Sequence, residues 1–198
     1  KRAACLEKLP RSEQVDKQLI DGRVTLGLYY NQMSLHVKAK EAVEPVHQLA
    51  LNHGYERRIS QINTILGTYS FTVEGDYAKG FTYLKDSLRI ASEQNDFASL
   101  WVANHWIGHA FMESCEFEKA LYHLKNALAI SEAANLIWSI SIMKSCMALN
   151  VYVFQGKIDL GHQISLEGLK LAEESGDPLS LAEAYTSHGF ALYCKGFL

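Results

Sequence analysis

Residues 74–83 read EGDYAKGFTY: a turn-forming glycine and acid, an aromatic, and a small residue, Gly80, three places after the aromatic. The arrangement recurs. CEFEKALYHL (115–124) has Phe117 and Ala120, GKIDLGHQIS (156–165) has Ile158 and Gly161, and SLHVKAKEAV (34–43) has His36 and Ala39. The small residues Ala39, Gly80, Ala120 and Gly161 are 41, 40 and 41 apart. A fixed period of this size marks a repeat architecture.

Each unit reads as two helices. In DYAKGFTYLKDSLRIASEQND, Tyr77, Phe81, Leu84 and Leu88 recur at three- and four-residue spacing, which lines one face of a helix. EFEKALYHLKNALAISEAAN does the same with Phe117, Leu121, Leu124 and Leu128. Turn formers follow, as NHG, QND and SGD, and the Asp177–Pro178 pair marks a helix start. The first helices are expected at about 13–33, 56–73, 97–113, 136–154 and 178–195. They carry Gly27, Thr68, Gly108, Leu149 and Gly189 at one matched position. Three residues on stand Tyr30, Phe71, Phe111, Tyr152 and Leu192. Glycine inside a helix costs about 1 kcal/mol against alanine, so its recurrence implies a neighbouring helix at close approach. In the opening stretch, Gly75–Asp76 makes the turn, Asp76 caps the second helix, Tyr77 packs back and Gly80 lets the helices touch.

These positions resemble the tetratricopeptide repeat (TPR) family, which places glycine at the eighth position, an aromatic at the eleventh and small residues at the twentieth and near the twenty-seventh. The last are here Val46, Ser87, Ala127 and Gly168. The period is about 40 and not 34, and Arg23, Thr64, Asn104, Ser145 and Tyr185 replace the frequent Trp of the fourth position. Long-period units of this kind look like the repeat region of bacterial ATPase-linked class III adenylate/guanylate cyclases, and like repeats of the maltose-regulon activator type. The resemblance implies an all-α, right-handed α-solenoid of antiparallel helix pairs. Its units span about 13–54, 55–95, 96–135 and 136–177, with the first helix of a fifth at 178–198. Residues 1–11 are read as the remnant of a preceding helix, and the whole as a single repeat domain cut from a longer protein. Pro45, inside a second helix, is expected to kink it.

Composition excludes several classes. Net charge is −3 and no basic run exceeds two residues, so no nucleic-acid footprint is present. No apolar run is long enough to span a bilayer. Four scattered cysteines without a CxxC imply a reducing, cytoplasmic setting. No phosphate-binding loop, nucleophile elbow or HExxH is found. His105, His109 and Glu113 share one helix face at i, i+4 and i+8. Two imidazoles one turn apart can hold zinc with a carboxylate; polar residues of an inner helix are the alternative, and no cofactor or metal is assigned.

First helices of such an array line a concave side. The resemblance carries its inner-face positions onto Tyr69, His105, His109, Met112, Asn150 and Phe190, among a mainly apolar set that also includes Cys146 and Glu183. No Lys/Arg clamp for an acidic peptide is present. An apolar peptide, an amphipathic helix or another domain of the parent chain fits better, and tight packing that binds nothing is the alternative. Trp101, Trp106 and Trp138 serve either as interface anchors or as core. The implied function is a non-catalytic protein-interaction scaffold within a signalling protein. A small-ligand sensor and a homo-oligomerisation platform are the alternatives.

Overall fold

The structure, a computed structural model, describes Leu6 and residues 10–197. Among them no strand occurs, and the helices are α1 (Glu13–Gln32), α2 (His36–Asn52), α3 (Glu56–Thr72), α4 (Tyr77–Glu93), α5 (Phe97–Glu113), α6 (Phe117–Ala133), α7 (Ile137–Met147), α8 (Ile158–Ser175) and α9 (Pro178–Cys194). A π-helical segment, Ala148–Val153, prolongs α7. The expected helices are therefore present, to within a residue or two at each end. The remnant helix expected at 1–11 lies mostly outside the described residues, although Leu6 is helical and buried. No described helix is long and apolar enough to cross a membrane.

Contacts divide the chain into two compact units, up to Trp106 and from Ile107 onward, with the division inside α5. In the first, α1 packs on α2, α3 on α4, and α3 also on α1 and α2. Its core joins Ile20, Val24, Val43, Val46, Ile62 and Ile65. Nearly the whole of α3 is buried, hydroxyls included, because helices cover it on several sides. Those hydroxyls are satisfied: Ser60 Oγ donates to Ser87 O at 2.9 Å, and Thr68 Oγ1 to Thr64 O at 2.8 Å. In the second unit α8 packs on α7 and its π-helical extension, and α9 on α7 and α8.

Short connections force each pair antiparallel, and each turn is built at a fixed register. Left-handed residues close the turns at Ser34, Gly75, Cys115, Gly156 and Gly196, and again at Gly54, Asn95, Asn135 and Gly176. Backbone bonds across the helix ends follow, such as Leu35 N to Tyr30 O at 2.9 Å and Glu116 N to Phe111 O at 2.8 Å. Cys115 is exposed, with φ of 58°. A non-glycine residue there is strained by roughly 1–2 kcal/mol. Cys115→Gly is therefore expected to raise stability by about 0.5–1 kcal/mol once the added freedom of the unfolded chain is set against that relief; an unchanged or lower urea midpoint would contradict this.

The opening stretch behaves as its residues dictate. Asp76 accepts from Lys79 N at 3.0 Å, capping α4. The Tyr77 ring stacks on Phe71 at 6.4 Å. A methyl placed on Gly80 would lie 3.1 Å from Gly67 O and 3.2 Å from Phe71 Cβ.

The partner of that approach differs from expectation. A methyl on Gly67 would meet Leu84 Cγ at 2.8 Å and Gly80 O at 3.0 Å. Gly27 stands in the same relation to Val43 and Ala39 O, and Gly108 to Leu124 and Ala120 O. Thr68 was the expected residue; it is buried and bonded along its own helix instead. In the pair made by α7 and α8, a methyl on Gly161 would reach Ala148 O at 3.4 Å, so Ala148 and not Leu149 holds the position. In both cases the connection between the helices has four residues where α1–α2 and α5–α6 have three. The extra residue falls after the contact, so the contacting residue is one place earlier.

Gly67→Ala is expected to cost about 1–3 kcal/mol, since a backbone carbonyl and a buried leucine stand in the way. Gly189 has nothing within 4 Å. Gly189→Ala is expected to gain about 1 kcal/mol from helix propensity. Paired thermal melts check the contrast, and equal effects at the two sites would refute the packing account.

Pro45 lies inside α2 with its side chain exposed, and the helix continues through it. The carbonyl that the missing N–H would have served is that of Glu41, on the exposed side, where water can take its place.

Candidate functional site

The expected site residues fall on the first helices at positions that their neighbours leave at least partly open. In the first unit Tyr69 is the half-buried member of the otherwise covered stretch Ile59–Phe71, and Lys40 Nζ lies 4.6 Å above its ring. His105 is half-buried between Trp101 and Trp106, with ring centroids at 5.3 and 5.2 Å. The Trp106 ring meets His36 edge-on at 5.6 Å, and His36 Nδ1 is 3.0 Å from Asn31 Oδ1. Burial holds His36 below the usual histidine range. This is a mixed aromatic and imidazole surface.

In the second unit His109 is the most constrained of the expected residues. Protein surrounds its imidazole on nearly every side while an edge stays accessible, and burial lowers its pKa to about 4. Its Nε2 lies 3.7 Å from Cys146 Sγ, hydrogen-bonding distance for sulfur. Burial first, and the nearby Glu183 carboxylate second, push the Cys146 thiol well up. Glu183 is open to solvent at its edge, yet burial of its carboxyl raises its pKa as well. Three first helices thus contribute one residue each: α5 gives His109, α7 gives Cys146 and α9 gives Glu183.

The chemistry of that trio is that of neutral groups. A nucleophilic cysteine needs a lowered pKa and a cationic neighbour; here the thiol is held protonated and the imidazole uncharged. Such groups donate and accept hydrogen bonds and pack. Glu113, which the spacing offered as a third ligand, is exposed at the end of α5, and His109 contacts the Cys146 thiol.

Met112 is half-buried on α5, and Asn150 half-buried in the π-helical segment. Phe190 is exposed. Its ring lies 6.2 Å from Phe154 and 6.2 Å from Tyr193, both exposed as well. Phe154 was missed by sequence reasoning, since it follows the helical pattern and enters the connection after the π-helical segment. No signal short of the tertiary contact marks it. Phe154, Phe190 and Tyr193 form an exposed aromatic group built around an expected site residue.

No family model matches the chain, and no curated protein matches it.

Proposed function

We propose that the chain is a TPR-like α-solenoid acting as a non-catalytic protein-interaction scaffold within a larger signalling protein, such as a nucleotide cyclase with an ATPase module. The observation that carries this reading is the recurrence of one helix-pair seam, glycine or alanine against the small residue of the next helix. A seam that recurs spends the sequence on a rigid frame and leaves the remaining faces of the first helices for partners. The exposed aromatic group at Phe190, with Phe154 and Tyr193, is the surface offered, because apolar aromatics anchor interfaces. The neutral state of His109 and Cys146 supports binding over covalent chemistry.

The test is co-purification of the tagged chain from lysate of its source cells, with mass spectrometry of the bound fraction. The expected result is an enriched protein that is lost on Phe190→Ala or Tyr69→Ala while both variants keep the melting temperature of the parent. Recovery of the chain alone, or a bound protein indifferent to both substitutions, overturns the reading.

A further inference from the structure

The packing of α9 on α8 brings two histidines together. His162 of α8 and His188 of α9 are both half-buried, with ring centroids 5.1 Å apart and ring planes tilted by 32°. Ser165, one turn after His162 and fully buried, links them. Its hydroxyl donates to His162 O at 2.8 Å, and its Oγ lies 3.0 Å from His188 Nδ1. The single hydroxyl hydrogen is already given to the carbonyl, so Oγ accepts and His188 Nδ1 donates. That bond fixes the tautomer and leaves the lone pair of His188 on Nε2. Among the described residues, the His162 ring makes no hydrogen bond. One lone pair of each imidazole is therefore available to a ligand.

We infer that His162 and His188 form a site for a single divalent cation of the class that favours imidazole, such as zinc. Two imidazoles sharing a tetrahedral zinc ion, with Zn–N distances of about 2.0–2.1 Å, have ring centroids about 5 Å apart. The two rings already stand at that separation. A ligating histidine also donates its other ring N–H to a fixed partner, which orients the ring and raises its basicity. Ser165 is that partner for His188. Asp159, one turn before His162 on α8, is engaged by Lys195 Nζ at 2.8 Å. The protein thus contributes two ligands, and water completes the coordination. The bound ion ties α9 to α8. This site lies beyond the interaction surface invoked above and does not depend on it.

The test titrates the full, isotopically labelled, metal-free chain with zinc chloride, read by calorimetry and by NMR of the histidine rings. Expected are saturable uptake of one ion per chain and shifts centred on the His162 and His188 rings, with His188 Nδ1 still protonated. The melting temperature should rise with zinc concentration, since the ion binds only the folded arrangement. His162→Gln and His188→Asn should each abolish the shifts at the remaining ring. Ser165→Ala keeps both ligands and should weaken zinc binding by roughly tenfold or more. Without zinc, His162→Gln should keep the melting temperature of the parent, and His188→Asn retains a donor toward Ser165, so two variants guard against one that misfolds. Magnesium, which prefers oxygen ligands, should leave both rings unshifted. Zinc that shifts neither ring, or an affinity unchanged in both histidine variants, overturns the inference. Shifts centred on His109, lost on Cys146→Ser, overturn it in favour of that pair. Phe190→Ala should leave zinc binding within about twofold, so failure of this site and failure of the lysate capture are read separately.

Discussion

Leu84→Ala is expected to lower the stability of the chain by about 2–5 kcal/mol, the range for a buried leucine truncated to alanine. Leu84 is fully buried, and its Cγ closes the space left open by Gly67. The loss has two parts: the transfer energy of the removed atoms, and a cavity that the seam cannot collapse into. Collapse is blocked because Gly67 and Gly80 already bring the two backbones to contact, with a methyl on either glycine reaching the other's carbonyl at 3.0–3.1 Å. A shift toward the upper half of the range is therefore expected. Leu124, against Gly108 in the second unit, should behave alike. Urea denaturation of both variants measures this, and losses below about 1 kcal/mol would mean that the seams are not where the stability resides.

The second large effect is acid sensitivity arising at His109. Its folded pKa, about 4, lies below the ordinary value of 6.5 because burial disfavours the imidazolium. Above pH 6.5 neither the folded nor the unfolded chain carries the proton, and stability is unaffected by this group. As pH falls below 6.5 the unfolded chain takes up the proton and the folded chain does not, so stability is lost progressively down to about pH 4. Full expression of the shift corresponds to about 3 kcal/mol; the accessible edge of the ring brings the expectation to about 2–3 kcal/mol. His36, His47, His123 and His188 are also lowered by burial and add to the loss in the same direction. Glu183, raised by burial, works in the opposite sense, its contribution being lost as pH rises above the usual carboxylate range. Stability against pH for the parent and for His109→Gln isolates the term. The variant should show a flatter decline between pH 6.5 and 4, and parallel curves would refute the assignment.

How much of this was legible in the sequence follows from the range of the forces involved. Helix limits depend on neighbours within a turn: Asp76 over Lys79 N, Asp177 over Ser180 N at 2.8 Å, Pro178 in the first turn of α9. The three- and four-residue apolar spacing of α4 and α6 needed only the chain itself. The Trp101 and Trp106 contacts to His105 are likewise local, within one helix. The site was less legible. The inner-position list contained His109, Cys146 and Glu183 as separate residues, but the pairing of His109 with Cys146 joins positions 37 apart. Phe154 could not be assigned, because its ring finds Phe190 only after α9 has packed on the π-helical segment.

The seam shows where the two kinds of information part. The period, the helix pairs, the small residues of the second helices and the turn registers were determined by the sequence alone, since each repeats at 40 or 41 residues with its own local signature. Which residue of the first helix meets them was decided by tertiary structure. Gly67 and Ala148 take the position that the period assigned to Thr68 and Leu149, because a connection one residue longer shifts one helix against the other. A period counts residues along the chain, but two packed helices meet where their backbones can come closest, and a methyl group of misplacement decides between them.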